Sequence, residues 1–393
     1  MSDSIVILGA ARTPMGGFQG EFSALAAHDL GGAAIKAAVE RSGVSPDLVG
    51  EVLFGNCLMA GQGQAPARQA AFKGGLPQSA GAVTLSKMCG SGMKAAMFAH
   101  DMLLAGSHDV VVAGGMESMT NAPYLMLKGR GGYRMGHDRI YDHMMLDGLE
   151  DAYEAGRSMG TFGEDCAAKY NFTREAQDAF AIASVERAKA ATTSGAFATE
   201  ITPVTVKSRS GETVVSVDEG PGKVKLDKIP LLKPAFKKDG TITAASSSSI
   251  NDGAAALVMA RASTAAQLGA KPLARIVAHT THAQAPNWFA TAPVGAVQKL
   301  LAKTGWSVSD VDLWEINEAF AVVPMALMAE LSIPHAIVNV NGGACALGHP
   351  IGASGARIMV TLVHALQARG LKRGVATLCI GGGEATALAI DLL

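Results

Sequence analysis

Ser42-Gly-Val-Ser-Pro-Asp-Leu-Val-Gly-Glu-Val-Leu-Phe-Gly-Asn56 returns in outline as Thr304-Gly-Trp-Ser-Val-Ser-Asp-Val-Asp-Leu-Trp-Glu-Ile-Asn317, about 262 residues later. In both, a helical run ends at a Gly-x-Ser turn, a short apolar strand follows, and an asparagine closes it. A second pair keeps the order and nearly the offset. Cys89-Gly-Ser-Gly92 opens a helix leading into the strand Asp109-Val-Val-Val-Ala-Gly-Gly115, and Ala353-Ser-Gly355 opens one leading into Val375-Ala-Thr-Leu-Cys-Ile-Gly-Gly-Gly383. Ser-Gly pairs recur by chance, so one match alone is weak, but two in register read as an internal duplication. Each half alternates strands with helices, which predicts a βαβ-type α/β sheet.

The boundaries follow. The first half is expected over 1–118 and again over 250–270, and the second over 271–393. Between them, 119–249 has a different texture: Gly129-Arg-Gly-Gly-Tyr-Arg-Met-Gly136 is loop-like, and Thr173 N-caps a helix running toward Gly195. Lys223 to Lys238 holds six lysines against one aspartate. Such a run is either a solvated loop or a landing site for a polyanion, and a local +5 is conspicuous in a chain of net charge −1.

Composition narrows the function. With 33 basic against 34 acidic residues, nothing global points to nucleic acid or an anionic membrane surface. Only 17% of residues are charged and 49% are hydrophobic, which fits a large α/β protein with much buried surface and an oligomer. No apolar run reaches the roughly 18 residues a membrane helix needs. The start, Met1-Ser-Asp-Ser-Ile-Val, has no basic n-region, and Ile390-Asp-Leu-Leu393 is not a Ser-Lys-Leu type address. The five cysteines, 57, 89, 166, 345 and 379, form no Cys-x-x-Cys pair. That argues for a reduced cytoplasmic protein and against a disulfide scaffold or structural zinc.

The chemistry starts at Cys89. It stands in Val83-Thr-Leu-Ser-Lys-Met-Cys-Gly-Ser-Gly-Met-Lys94, between a strand-like run and a helix marked by Met93, Ala96, Met97, His100, Leu103 and Leu104. A single cysteine is usually a small buried hydrophobe. At a helix start, however, free N–H groups and the dipole favour a thiolate, the nucleophilic form. The dipole contributes about 0.3–1 kcal/mol and at best ~2. At 1.36 kcal/mol per unit, a thiol near pKa 8.5 falls by about one unit, so Cys89 needs a base.

His349, in Asn341-Gly-Gly-Ala-Cys-Ala-Leu-Gly-His-Pro-Ile-Gly-Ala-Ser-Gly355, is the candidate. A histidine on an apolar face is ordinarily a satisfied core residue, but glycines and Pro350 predict a rigid exposed turn here. Cys379-Ile-Gly-Gly-Gly383 ends a buried-looking strand at a glycine turn whose N–H groups can converge on an oxyanion. Asn317 closes the strand Val311–Ile316, at the end where ligands gather in α/β sheets.

Taken together these motifs resemble the thiolase family, on its acetyl-CoA acetyltransferase side, over essentially the whole chain. The matching segments are Cys-Gly-Ser-Gly at 89–92, Gly-Gly-Met-Glu-Ser-Met at 114–119, Asn-Asp-Gly-Ala-Ala-Ala at 251–256, Asn-Glu-Ala-Phe at 317–320, Gly-His-Pro at 348–350 and Cys-Ile-Gly-Gly-Gly at 379–383. The resemblance implies two stacked βαβ halves with an inserted loop domain for coenzyme A binding and oligomer contacts. It also implies a homotetramer built as a dimer of dimers, acyl-CoA and coenzyme A as partners, and no cofactor or metal beyond coenzyme A as substrate. It implies roles as well. Cys89 would carry the acyl group, His349 would activate it, and Cys379 would move the α-proton. Asn317 would hold a water that, with His349, stabilises the thioester enolate. The N–H groups of Cys89 and Gly381 would form a second oxyanion hole.

Substrate contacts implied in the same way are Met159, Lys223, Lys225, Lys228, Phe236, Ala244, Ser248, Phe289 and Phe320. Several of these segments depart from the family. Asp218–Lys225 lacks the Arg-His-Gly of many members, and lysines offer charge without a bidentate fork. Ser158-Met159 replaces a His-Met pair that shapes the acyl pocket, and Phe289 replaces a methionine. The expected reaction is reversible Claisen condensation of acetyl-CoA, or thiolysis of short 3-oxoacyl-CoA. The alternative is a broader-chain 3-ketoacyl-CoA thiolase of fatty-acid β-oxidation. More remote are a decarboxylating ketosynthase, which would want a second catalytic histidine, and a dinucleotide-binding oxidoreductase. The last would rest on Gly90-Ser-Gly-Met-Lys-Ala95, but Asp109 precedes its strand rather than ending it.

Overall fold

In the computed structural model, residues 3–208 and 211–393 are described. Met1 and Ser2, in the start read above for a leader, and Arg209 and Ser210, in the inserted segment, lie outside them. Nine strands share one hydrogen-bonded path: β1 (Ile5–Arg12), β2 (Glu51–Gly55), β3 (Gly81–Leu85), β4 (Val110–Ser118), β5 (Asn251–Arg261), β6 (Ala274–Ala283), β7 (Leu313–Ile316), β8 (Arg373–Ile380) and β9 (Glu384–Leu392). Their order is β7-β8-β9-β6-β1-β5-β4-β2-β3. Only Val6 and Ile7 of β1 pair with Arg275 and Ala274 of β6. This two-residue seam joins two half-sheets, β1 to β5 and β6 to β9.

The strands are apolar on both faces because both faces are covered, as the near-continuous apolar runs require. In β5, Ala254, Ala256, Val258 and Ala260 join one core cluster, while Ala255, Leu257 and Met259 join another. In β9, Ala385, Ala387 and Ala389 face one cluster while Leu388 and Ile390 face another. The central cluster takes side chains from both half-sheets and from the helices Ser91–Leu104 and Ile351–Arg369. The helix Ala27–Ser42 covers the outside of the first half-sheet and Ala292–Thr304 the outside of the second. The layers are thus helix, sheet, central helices, sheet, helix.

The repeated sequence has a repeated structure. The helix Ala27–Ser42 ends at Gly43 (φ +68°), a 3-10 turn follows at Pro46–Leu48, and β2 leads to Asn56. The helix Ala292–Thr304 ends at Gly305 (φ +70°), a 3-10 turn follows at Val308–Asp310, and β7 leads to Asn317. Both glycines occupy the left-handed cap conformation that L side chains adopt with difficulty. β2 runs parallel to β4, as β7 does to β8. The Ser-Gly repeat also gains a reason. A Cβ on Gly92 would stand 2.7 Å from Ala356 N, and one on Gly355 would stand 2.4 Å from Met93 N. The two central helices touch backbone to backbone where they begin, beside Cys89 and His349.

The segment between β4 and β5 carries the helices Met159–Tyr170 and Arg174–Ser194, the latter capped by the Thr173 side chain accepting from Ala176 N–H at 3.2 Å. It also carries two small hairpins and a five-residue π-helix, Met145–Leu149. Among the described residues no helix is long and apolar enough to cross a membrane.

Candidate active site

Cys89 lies between β3 and the helix Ser91–Leu104. The preceding Met88 holds φ +45°, unusual for a side-chain-bearing residue and a form of strain that clusters at functional sites. Ser91 fastens this turn: its hydroxyl accepts from Lys87 N–H at 2.8 Å and donates to Met88 C=O at 2.6 Å. The backbone N–H groups of Cys89 itself and of Gly381 both act on the Cys89 sulfur. Gly90 packs directly on Ile380, where a Cβ would come within 2.3 Å of Ile380 Cδ1. The glycine turn after β8 therefore sits on the nucleophile's turn.

The dipole argument from sequence needs correcting. Although Cys89 keeps partial exposure, desolvation of its thiol outweighs those N–H groups and pushes its pKa up to about 11. Cys379 is fully buried near the end of β8, in a cluster with Phe162, Phe289 and Phe320. Burial raises its thiol pKa well above the ordinary value, and the neighbouring Cys89 adds to the rise.

His349 is buried rather than exposed, at 6% of its accessible surface. The small residues that suggested an open turn instead permit close packing: Gly348 adopts φ +101° against the Asn251 side chain, and Gly352 packs on the backbone of Met116 and Asn56. His349 Nδ1 lies 2.6 Å from Ser354 Oγ, which spends its own proton on Pro350 C=O at 2.9 Å. Nδ1 must therefore carry hydrogen, leaving the lone pair on Nε2. That Nε2 is buried without a hydrogen-bond partner among the described residues. Burial, reinforced by the positive charge of Arg357, lowers the ring's pKa to about 3, so it is a neutral base throughout the working range.

Asn317 follows β7 and donates its backbone N–H to Thr377 C=O at 3.0 Å, two residues before Cys379 on the neighbouring strand. Its side chain is wholly buried, yet neither amide atom has a partner among the described residues. Buried polar groups are nearly always satisfied, so this amide calls for a water or a ligand as its partner.

A cavity of about 270 Å³ brings His349 together with Met159, Phe236, Ser248 and Phe320. Phe320 meets Phe236 edge-to-face at 5.7 Å and Phe289 at 6.3 Å. Phe289 stays behind this wall, buried with Cys379. Met159 also reaches a second cavity, of about 260 Å³, with Met88 and Gly381, so it stands between the two thiol turns. Ala244 and Lys223 line an adjoining cavity of about 440 Å³ that shares Ser249 and Ile250 with the first. Lys223 is already ion-paired to Glu219, while Lys225 and Lys228 are exposed and line none of these cavities.

Sequence reasoning missed three contributors. Ser354, which fixes the tautomer, was visible only as part of the repeated Ser-Gly. The π-helix contributes Met145 and Leu149 to the cavity wall, and it has no local sequence signature. Asn251, whose side-chain oxygen accepts the His349 N–H at 3.3 Å, becomes a neighbour only through the fold.

Residues 5–263 match the family model described as "Thiolase, N-terminal domain", and 270–392 match "Thiolase, C-terminal domain". The chain is 51% identical to acetyl-CoA acetyltransferase 2 of Arabidopsis thaliana over 99% of this chain and 97% of that protein. It is 47% identical to acetyl-CoA acetyltransferase of Thiocystis violacea over the full length of both. Among solved structures, the Bacillus anthracis acetyl-CoA acetyltransferase superposes with a TM-score of 0.97 at 41% identity, covering 100% of this chain and 99% of that one. The Acat5 thiolase of Ascaris suum, in complex with coenzyme A, gives 0.94 at 42% identity, covering 99% and 100%.

Proposed function

The chain belongs to the thiolase family, and from that premise we propose that it is an acetyl-CoA C-acetyltransferase. It makes acetoacetyl-CoA and coenzyme A from two acetyl-CoA, and runs the reverse thiolysis on short 3-oxoacyl-CoA. One observation supports this reading above the rest. Buried groups without partners, His349 Nε2 and the Asn317 amide, accompany a Cys89 thiol whose rise in pKa is opposed by the backbone N–H groups of Gly381 and of Cys89 itself. These are the lone pair and the donors that a thiol ester exchange needs.

In the first half-reaction the Cys89 proton passes to His349 Nε2 and the sulfur adds to the thioester carbonyl. The carbon–sulfur bond to coenzyme A breaks, and the proton goes to the departing thiolate. In the second, Cys379 passes its thiol proton to His349, and the resulting thiolate takes the α-proton of another acetyl-CoA. The enolate attacks the acyl carbon, the carbon–sulfur bond to Cys89 breaks, and the Cys89 thiolate takes the proton back from His349. Asn317, through a bound water, and His349 serve the enolate oxygen, while the N–H groups of Cys89 and Gly381 serve the acyl oxygen. Coenzyme A is substrate, and this scheme calls on no other cofactor. The aromatic wall of Phe236 and Phe320, backed by the buried Phe289, supports short acyl groups and disfavours a broad chain range.

Mass spectrometry tests the division of labour. Cys89→Ala should form no acyl adduct, whereas Cys379→Ser should acylate yet fail to exchange the α-proton of acetyl-CoA with solvent deuterium. Full acetoacetyl-CoA cleavage by Cys89→Ala, or no adduct on Cys379→Ser, contradicts the assignment. We also propose a cytoplasmic homotetramer, a dimer of dimers, working in fatty-acid metabolism. The edge strand β3 with exposed Val83, and exposed Tyr124, Met126, Leu127, Met135 and Ile140 in the inserted segment, support assembly, and five free thiols suit a reducing compartment. Sedimentation equilibrium reads the assembly directly: a monomer at micromolar concentration contradicts it.

A further inference from the structure

Away from the site, at the junction of the two half-sheets, three metal-ligating side chains converge. His100 and Asp101 sit on the helix Ser91–Leu104 and His279 on β6. His100 Nδ1 is 3.0 Å from Asp101 Oδ1, His279 Nε2 is 2.9 Å from the same oxygen, and the two ring nitrogens are 3.3 Å apart. Consecutive helical residues do not share a face, so His100 and Asp101 both turn to meet the histidine from the other half. The imidazoles are largely shielded, whereas the Asp101 carboxylate opens to solvent.

Hydrogen bonding alone explains this triangle poorly, since a ring nitrogen donating to the carboxylate has no second proton for the other ring. A cation explains all three sides at once: ligands held at about 2.0–2.1 Å around a tetrahedral ion lie about 3.3 Å apart. We propose that His100, Asp101 and His279 bind one divalent cation of the zinc or cobalt class, with water completing its coordination. Two imidazoles and a carboxylate are donors that such ions accept. Lys303, whose ammonium donates to His279 C=O at 3.3 Å, is the nearby opposing charge. The ion would clamp the helix that begins beside Cys89 to β6, where the direct strand pairing is only two residues long.

The test titrates the full-length protein with Co2+ while visible absorption and melting temperature are followed. The expected result is one equivalent bound, d–d bands without a thiolate-to-cobalt charge-transfer band, and a raised melting midpoint. Asp101→Asn, at a solvent-facing position, and His279→Asn should each weaken binding about tenfold or more. His137→Asn, in an exposed loop, should leave it unchanged. Asp101→Asn binding Co2+ as tightly as the unaltered protein overturns the proposal, as does a thiolate band placing the ion on a cysteine.

Discussion

Ser354→Ala isolates what the His349 tautomer contributes. Ser354 touches no reacting atom in the proposed chemistry. Its oxygen accepts from His349 Nδ1 at 2.6 Å, and its proton is committed to Pro350 C=O. Removing the hydroxyl strands a buried N–H, which costs about 1–3 kcal/mol. The ring escapes that cost by moving its hydrogen to Nε2, but then the lone pair no longer faces the cavity and the base is lost. Returning the hydrogen to Nδ1 for acylation of Cys89 then costs that same free energy. At 1.36 kcal/mol per factor of ten, the rate should fall about 5- to 150-fold. Rapid quenching with acetyl-CoA, followed by intact-mass measurement, reads acyl-Cys89 directly and separates acylation from condensation. A structural role alone would lower the melting temperature and leave the acylation rate of the folded fraction unchanged. That outcome would refute the tautomer argument.

Four further predictions concern the site and its supports. With His349 neutral above about pH 3 and Cys89 a thiol below about 11, the acylation rate should be flat from pH 5 to 9, and a limb near pH 6.5 in the quench assay would contradict it. The same lowered pKa makes His349 a source of acid instability, because between pH 6.5 and 3 the unfolded chain binds a proton that the native chain refuses; stability should fall as pH drops through that window, and His349→Asn should flatten the slope in denaturant titrations. Phe320→Ala, which opens a wall shared by Phe236 and Phe289, should destabilise by about 3–5 kcal/mol and raise kcat/KM for longer 3-oxoacyl-CoA relative to acetoacetyl-CoA. Gly355→Ala should cost about 1–3 kcal/mol in chemical denaturation and lower the acylation rate, since its Cβ would strike Met93 N, four residues from Cys89.

The duplicated halves were legible because each rests on local signals: a glycine at a left-handed cap, a 3-10 turn, and a short apolar strand. Gly43 and Gly305 do the same work in the same order, and no partner elsewhere in the chain is needed to see it. Cys89, His349 and Cys379 were legible as candidates for a related reason, each standing next to a glycine-rich turn, while Asn317 was placed by the strand it follows. Electrostatics was not legible. Sequence places Cys89 at a helix terminus and His349 among small residues, but not the packing that removes water from both. A dipole effect of about one unit was therefore overtaken by desolvation of opposite sign for the thiol. The expected coenzyme A contacts divide along the same line: Phe236, Ser248 and Phe320 line the His349 cavity, while the charge of Lys225 and Lys228 says nothing about where those side chains point.

Desolvation also gives a reason for the proposed division of tasks between the two cysteines. A thiol whose pKa is raised is slow to ionise, but its thiolate, once formed, is a stronger base, and proton-transfer efficiency follows that basicity. The proton next to a thioester carbonyl is weakly acidic, so the group that removes it benefits from the dry aromatic surroundings of Cys379. A nucleophile that must later leave has the opposite requirement, since the better leaving thiolate is the one with the lower pKa. At Cys89, partial exposure and two backbone N–H groups oppose the rise that burial imposes, a combination Cys379 lacks. Exchanging these environments should therefore do more harm than exchanging the residues. An Ile380→Ala change, which removes the side chain packed on Gly90, should wet both thiols and slow α-proton exchange more than acylation. Equal loss in the two half-reactions would show that basicity does not separate the two thiols.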